Sequence, residues 1–283
     1  MTRNFGKGRK YIIDFLRPAF SSYERFIKRL EMLHLLVHLG AIANFAYAIY
    51  FDWYLLKTPK PETWGGKWKY LTFLNMWFQL VYFSISFLNS IFGSHATDKK
   101  SASTLQRIRD YYFATIAFPI GQFVGIVFWT LFTIDRELIF PKRFDDFFPN
   151  HINHMMHTTV IPAQLLEMIL LYHAYPSKKS GMATIFSFSM IYLGWTLVIA
   201  HVSGIWVYPI FEILTPPLRL VFMAVCSIVA CFLYLFGEVM NNIFWSKVSN
   251  NVTNDGDAPS KTTYEPVKTS LRPIKGKKPK KAD

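Results

Sequence analysis

Long runs without a charged side chain limit what this chain can fold into. Between successive Asp, Glu, Lys and Arg the uncharged stretches are 32–51, 70–97, 111–134, 147–166 (with 168–177 after Glu167), 180–211 and 220–237. A helix needs about 20 mostly apolar residues to cross roughly 30 Å of hydrocarbon. Helices of a soluble bundle would each carry a polar face, and these stretches do not. Charged residues make up only 17% of the chain, against about a quarter in soluble domains. In hydrocarbon every backbone amide must be bonded internally, so such runs become helices. The expected fold is all-α: a multi-pass transmembrane helical bundle of six spans near 32–54, 70–93, 111–134, 153–174, 182–203 and 217–244. Residues 204–216 are apolar and aromatic but hold two prolines. They read as an interfacial or partly re-entrant connection.

Six spans put both ends on one side, and the basic residues choose which. Segments 1–31, 94–110, 175–181 and 246–283 hold 23 Lys and Arg, whereas 55–69, 135–152 and Arg219 hold 8. Basic loops stay cytosolic, so the N- and C-termini are expected in the cytosol. The net charge of +13 is then a topology signal, and no nucleic-acid partner is expected. The partner that the sequence does imply is the lipid bilayer. Two cysteines, Cys226 and Cys231, both lie in the sixth span, which excludes a disulfide framework. The polar, basic first ten residues do not read as a cleavable signal peptide.

Three regions follow. Residues 1–31 read as a cytosolic, interfacial amphipathic segment broken at Pro18. Residues 32–246 form the six-span domain. Residues 247–283 read as a disordered basic cytosolic tail. The tail ends in Lys280-Lys281-Ala282-Asp283, lysines third and fourth from the end. That arrangement resembles the dilysine retrieval signal of endoplasmic reticulum membrane proteins and favours that organelle, with the plasma membrane as the alternative.

Polar groups at membrane depth are expensive and mark functional candidates. Thr72 opens the second span within W-G-G-K-W-K-Y-L-T-F-L-N (64–75); alone, such a threonine more often bonds the carbonyl four residues back. His151, His154 and His157 open the fourth span at spacings of three. Three histidines with Asp145 or Asp146 nearby allow a zinc reading, since a catalytic zinc site takes three protein ligands. Histidines bonded into a bundle core are the commoner arrangement. Topology brings the features together: spans two and four run in the same direction, so Thr72 and His157 share the outer half of the bilayer. His201 and Ser203 reach the same layer. A hydroxyl beside an imidazole can act as nucleophile and base. At the interface an ester would meet water while its acyl chains stay in lipid. Glu167, deeper in the span, reads as a structural or relay group.

Several segments resemble the androgen-induced protein family: 64–75, D-R-E-L-I-F-P-K (135–142), N-H-M-M-H-T-T-V-I-P (153–162), Y-P-S-K-K-S-G (175–181), H-V-S-G-I-W-V-Y-P (201–209) and L-Y-L-F-G-E-V-M-N-N (233–242). The resemblance covers about 32–246. It implies a cofactor-independent threonine hydrolase cleaving fatty acid esters of hydroxy fatty acids. The family's nucleophile falls on Thr72 and its essential histidine on His157. His154 matches the first histidine of the motif. Supporting candidates are His154, Asp135 (as a third orienting group) and His201. The alternatives are a non-catalytic lipid-binding or carrier membrane protein and, behind it, a metal-dependent hydrolase using His151, His154 and His157.

Overall fold

The computed structural model describes residues 32–57, 63–98 and 100–246. The 1–31 segment and the 247–283 tail, with its Lys280-Lys281 ending, lie outside the described residues. Everything regular among those residues is helical. Five helices are long and apolar enough to cross a membrane: α1 (Met32–Leu55), α2 (Leu71–Phe92), α3 (Thr104–Leu138), α6 (Lys178–Ser203) and α8 (Pro216–Phe244). Between α3 and α6 come α4 (Asn150–His157) and α5 (Val160–Leu170), and α7 (Ile210–Ile213) lies before α8.

The fourth expected span, 153–174, is therefore not one helix. It is α4 and α5 in succession, ending at Leu170, with a turn at Thr158–Thr159. Pro162 supplies the reason: it has no N–H for the Thr158 carbonyl, and its ring crowds that carbonyl. The chain responds with a tighter bond, Ile161 N–H to Thr158 O at 3.2 Å. The pair nonetheless keeps register with α2. Thr72 meets His157, Gln79 meets Gln164 and Tyr82 meets Glu167, each 85 residues apart. A constant offset means that α4–α5 runs parallel to α2 over that whole stretch. Against α1 it runs antiparallel: Phe51 packs on His151, Asn44 bonds Thr159 and His38 bonds Glu167. The broken pair thus covers the same depth as the unbroken helices beside it.

Polarity is arranged inside out. Leu36, Ile91, Ile191, Val221, Ile228 and Ile243 point outward, where lipid makes apolar exposure free of cost. Asn75, Gln79, Ser86, Gln122, Gln164 and Glu167 are buried. They bond one another and freed backbone carbonyls. In α3 a widened turn at Phe113–Ala117 precedes Pro119, and the Ala117 carbonyl accepts from the side-chain amides of Gln79 and Gln164. Both cysteines are free thiols, as the sequence implies.

Candidate active site

Thr72 is the second residue of α2, and the approach to it is built from backbone. Gly65 and Gly66 turn the chain with φ of 85° and 50°, values open to glycine at little cost. A Cβ on Gly65 would collide with Ile199 Cδ1, so the turn is also packed tightly on α6. Gly66–Lys69 forms one 3-10 turn, Tyr70 is extended, and α2 begins at Leu71. No side chain of the helix caps it. Instead the Leu71 N–H donates to the Tyr208 hydroxyl at 2.9 Å. Tyr192 of α6 donates to the Lys69 carbonyl at 3.0 Å, and the two phenol oxygens lie 3.3 Å apart. With Tyr192 committed to that carbonyl, Tyr208 donates to Tyr192. Burial pushes the Tyr208 phenol up to about 12, so it stays protonated. The 204–216 connection thus folds back onto the bundle: Tyr208 holds the start of α2, while Val207, Ile210 and Phe211 are buried.

His157 is the last residue of α4 and only 5% exposed. Its Nε2 lies 3.1 Å from Thr72 Oγ1, and its Nδ1 lies 3.0 Å from the Asn153 carbonyl. A carbonyl can only accept, so Nδ1 carries the proton. In the neutral ring Nε2 is then the acceptor, and the Thr72 hydroxyl donates to it. Phe128 of α3 stacks on the imidazole with centroids 3.6 Å apart and planes 13° from parallel. The ring is therefore fixed by a bond at each nitrogen and by one aromatic face. The threonine faces an apolar cavity of about 130 Å³, lined with Phe128, Leu131, Tyr208, Met223 and Cys226.

The other candidates lie elsewhere. His154 Nδ1 sits 3.0 Å from Thr158 Oγ1, and its ring stacks on Trp129. It is close to His157 in sequence without sharing its partners. Asp135 caps the following turn, accepting from the Glu137 N–H at 3.0 Å; the group that orients His157 is the Asn153 backbone. His201 is exposed on the last turn of α6. The metal reading of 151, 154 and 157 does not fit this geometry. Both ring nitrogens of His157 are engaged, and His151 packs edge-on against Phe51. Asp145 is paired with Arg136 through two bonds of 2.9 and 2.5 Å, which hold its carboxyl below the usual range. Two components escaped sequence reasoning. The Asn153 carbonyl was readable in principle, since a residue four before a helical histidine offers its carbonyl to Nδ1. The Phe128 stack left no signal in a run so rich in phenylalanine.

These features define a class: an integral, all-helical, multi-pass membrane protein with a half-buried threonine paired to a buried imidazole at one end of its bundle, beside an apolar cavity. Within that class the chain belongs to the FAR-17a/AIG1-like protein family, whose model matches residues 33–242. It is 41% identical over 196 residues to the androgen-induced gene 1 protein of Homo sapiens, covering 67% of this chain and 82% of the relative. It is 40% identical over 185 residues to the androgen-dependent TFPI-regulating protein of Mus musculus, covering 65% and 80%. A membrane protein of Schizosaccharomyces pombe is 23% identical over 214 residues, covering 74% and 90%. No solved structure matches the chain significantly.

Proposed function

We propose that the chain is a membrane-embedded lipid esterase that hydrolyses fatty acid esters of hydroxy fatty acids, with Thr72 as nucleophile and His157 as base. The observation that carries this reading is the 3.1 Å contact from Thr72 Oγ1 to a His157 Nε2 whose tautomer is set from the other side by Asn153. Threonine is a poor nucleophile unaided; transfer of its proton to a positioned base is worth roughly 10²–10⁴-fold. His157 takes the Thr72 proton as Oγ1 bonds to the ester carbonyl carbon. The tetrahedral oxyanion collapses, the C–O bond to the hydroxy fatty acid breaks, and His157 returns the proton to that leaving oxygen. Water then repeats the sequence on the acyl-threonine, and the fatty acid leaves.

The start of α2 supports the oxyanion. The first helical bond found there is Leu74 N–H to Tyr70 O, and the Leu71 N–H is given to Tyr208. The Thr72 and Phe73 amides of that turn have no intrahelical acceptor. They stand beside the nucleophile at the positive end of the helix dipole, where developing negative charge is favoured. The cavity along Phe128, Leu131 and Met223 offers an apolar wall to the part of the acyl chain next to the ester. In this reading no metal or other cofactor takes part, both chain ends lie in the cytosol, and the tail favours the endoplasmic reticulum.

The test is hydrolysis of a defined fatty acid ester of a hydroxy fatty acid by purified protein. Wild type should turn over, while Thr72→Ala and His157→Ala should each lose at least about 100-fold at equal folded concentration. A covalent probe of the serine-hydrolase type should label wild type and not Thr72→Ala. Near wild-type turnover in either variant removes the pair from the mechanism. A protein that neither turns over nor takes the label fits the non-catalytic lipid-binding or carrier alternative instead.

A further inference from the structure

The opposite end of the same polar file holds chemistry that ester hydrolysis does not use. Glu167 lies fully buried near the end of α5. Ten residues separate it from His157, about 15 Å of helical rise. Its Oε1 is held by two hydroxyls, Tyr82 at 2.7 Å and Ser86 at 2.6 Å. Its Oε2 faces His38 Nε2 at 2.8 Å. Among the described residues the only ion-pair partner of this carboxylate is that imidazole. The nearby guanidinium of Arg109 is already neutralised, with Nε and one terminal nitrogen on Asp110 at 2.9 and 2.6 Å. A buried carboxylate needs a matched cation or a metal.

A second imidazole completes the set. His34 and His38 sit one turn apart on one face of α1, their ring centroids 5.0 Å from each other. His34 Nε2 and His38 Nδ1 are both buried without a hydrogen-bond partner among the described residues. One ring nitrogen from each histidine and one Glu167 oxygen lie within 4.8 Å of one another. Zinc places nitrogen and oxygen donors about 2.0–2.2 Å from the ion, and the three donor atoms already lie within 4.8 Å of one another around a common centre. Two imidazoles and a carboxylate suit a borderline divalent ion. The Tyr82 and Ser86 hydroxyls orient the carboxylate, as outer groups of metal sites do.

We propose that His34, His38 and Glu167 bind a divalent transition-metal ion of the zinc class, which fastens α1 to α5 at the end of the bundle remote from Thr72. The ion replaces the direct contact of His38 Nε2 with Glu167 Oε2, any proton between them passing to solvent, and neutralises the buried carboxylate. The site is independent of the esterase reading, because its signature is metal content and not turnover.

The experiment uses the full chain, purified in detergent through a histidine-free tag without chelator, with zinc measured by elemental mass spectrometry. Wild type should carry about one zinc per chain. His34→Gln, at the rim of the cluster, and Glu167→Gln should each lose it while remaining monodisperse. X-ray absorption at the zinc edge should show nitrogen and oxygen neighbours at about 2.0–2.1 Å with no sulfur. Chelation should lower the melting temperature of wild type and leave His34→Gln unchanged. A wild type with no more zinc than His34→Gln, or a zinc shell containing sulfur, overturns the proposal; in the first case His38, Tyr82 and Ser86 hold Glu167 without a metal.

Discussion

At the scale of single residues, the site depends on which atom of a residue does the holding. His157 Nδ1 bonds the backbone oxygen of Asn153, not its side chain. Asn153→Ala should therefore keep most of the wild-type turnover, because the carbonyl remains and so does the tautomer. A steep loss of kcat in that variant, with the melting temperature unchanged, would mean that the amide side chain acts in its own right. Thr72→Ser makes the complementary point. It retains the hydroxyl that donates to Nε2 and should keep measurable turnover where Thr72→Ala keeps none; the ester assay reads both. The expected topology alone puts Thr72 and His157 on one side of the bilayer. It could not show the 3.1 Å approach, which depends on where two helices 85 residues apart finally pack.

Elements set that approach. Helix α3 reaches α4–α5 closely because Gly125 has no side chain: a Cβ there would meet the His157 carbonyl oxygen and Ile161 Cδ1, each at 2.8 Å. Overpacking of this kind costs about 1–3 kcal/mol, and misplacement of a catalytic group by about 1 Å can cost on the order of 100-fold. Gly125→Ala should thus depress kcat far more than its modest loss of melting temperature suggests, measured by ester hydrolysis and thermal unfolding in the same detergent. The break at Thr158–Thr159 belongs to this scale as well. Pro162 was visible in the sequence and marks the break by the usual rule. The uncharged run around it still reads as one span, because length and apolarity carry no information on helix continuity.

For the whole molecule, the register of α4–α5 with α2 keeps six traverses of the bundle even though five helices are continuous. Accessibility tags placed in the loop after α2 and in the loop after α3 should report opposite sides of the membrane. Tags at the two chain ends should report the same side. If the two loops reported one side, α3 would not cross, and Thr72 and His157 could not share a depth. The cavity beside Thr72 is likewise a property of the whole bundle, since its wall draws on α3, α6, α8 and the 204–216 connection.

The sequence by itself determined the membrane, the helical class and the order of spans, and its resemblance to a family named the pair of residues to watch. The first three follow from local quantities: the length of an uncharged run and the count of basic residues in a loop. Tertiary structure alone decided the rest. It selected the Asn153 carbonyl over Asp135 as the partner of His157, and it put Phe128 on the imidazole face. It closed the start of α2 with Tyr208, and it gathered His34, His38 and Glu167 from two helices into one buried cluster. The reason is physical. In lipid, apolar side chains gain little from choosing one neighbour over another. The packing partner of each helix is set by where glycines allow approach and where buried polar groups must find one another, and those pairings span distances along the chain that no local pattern records.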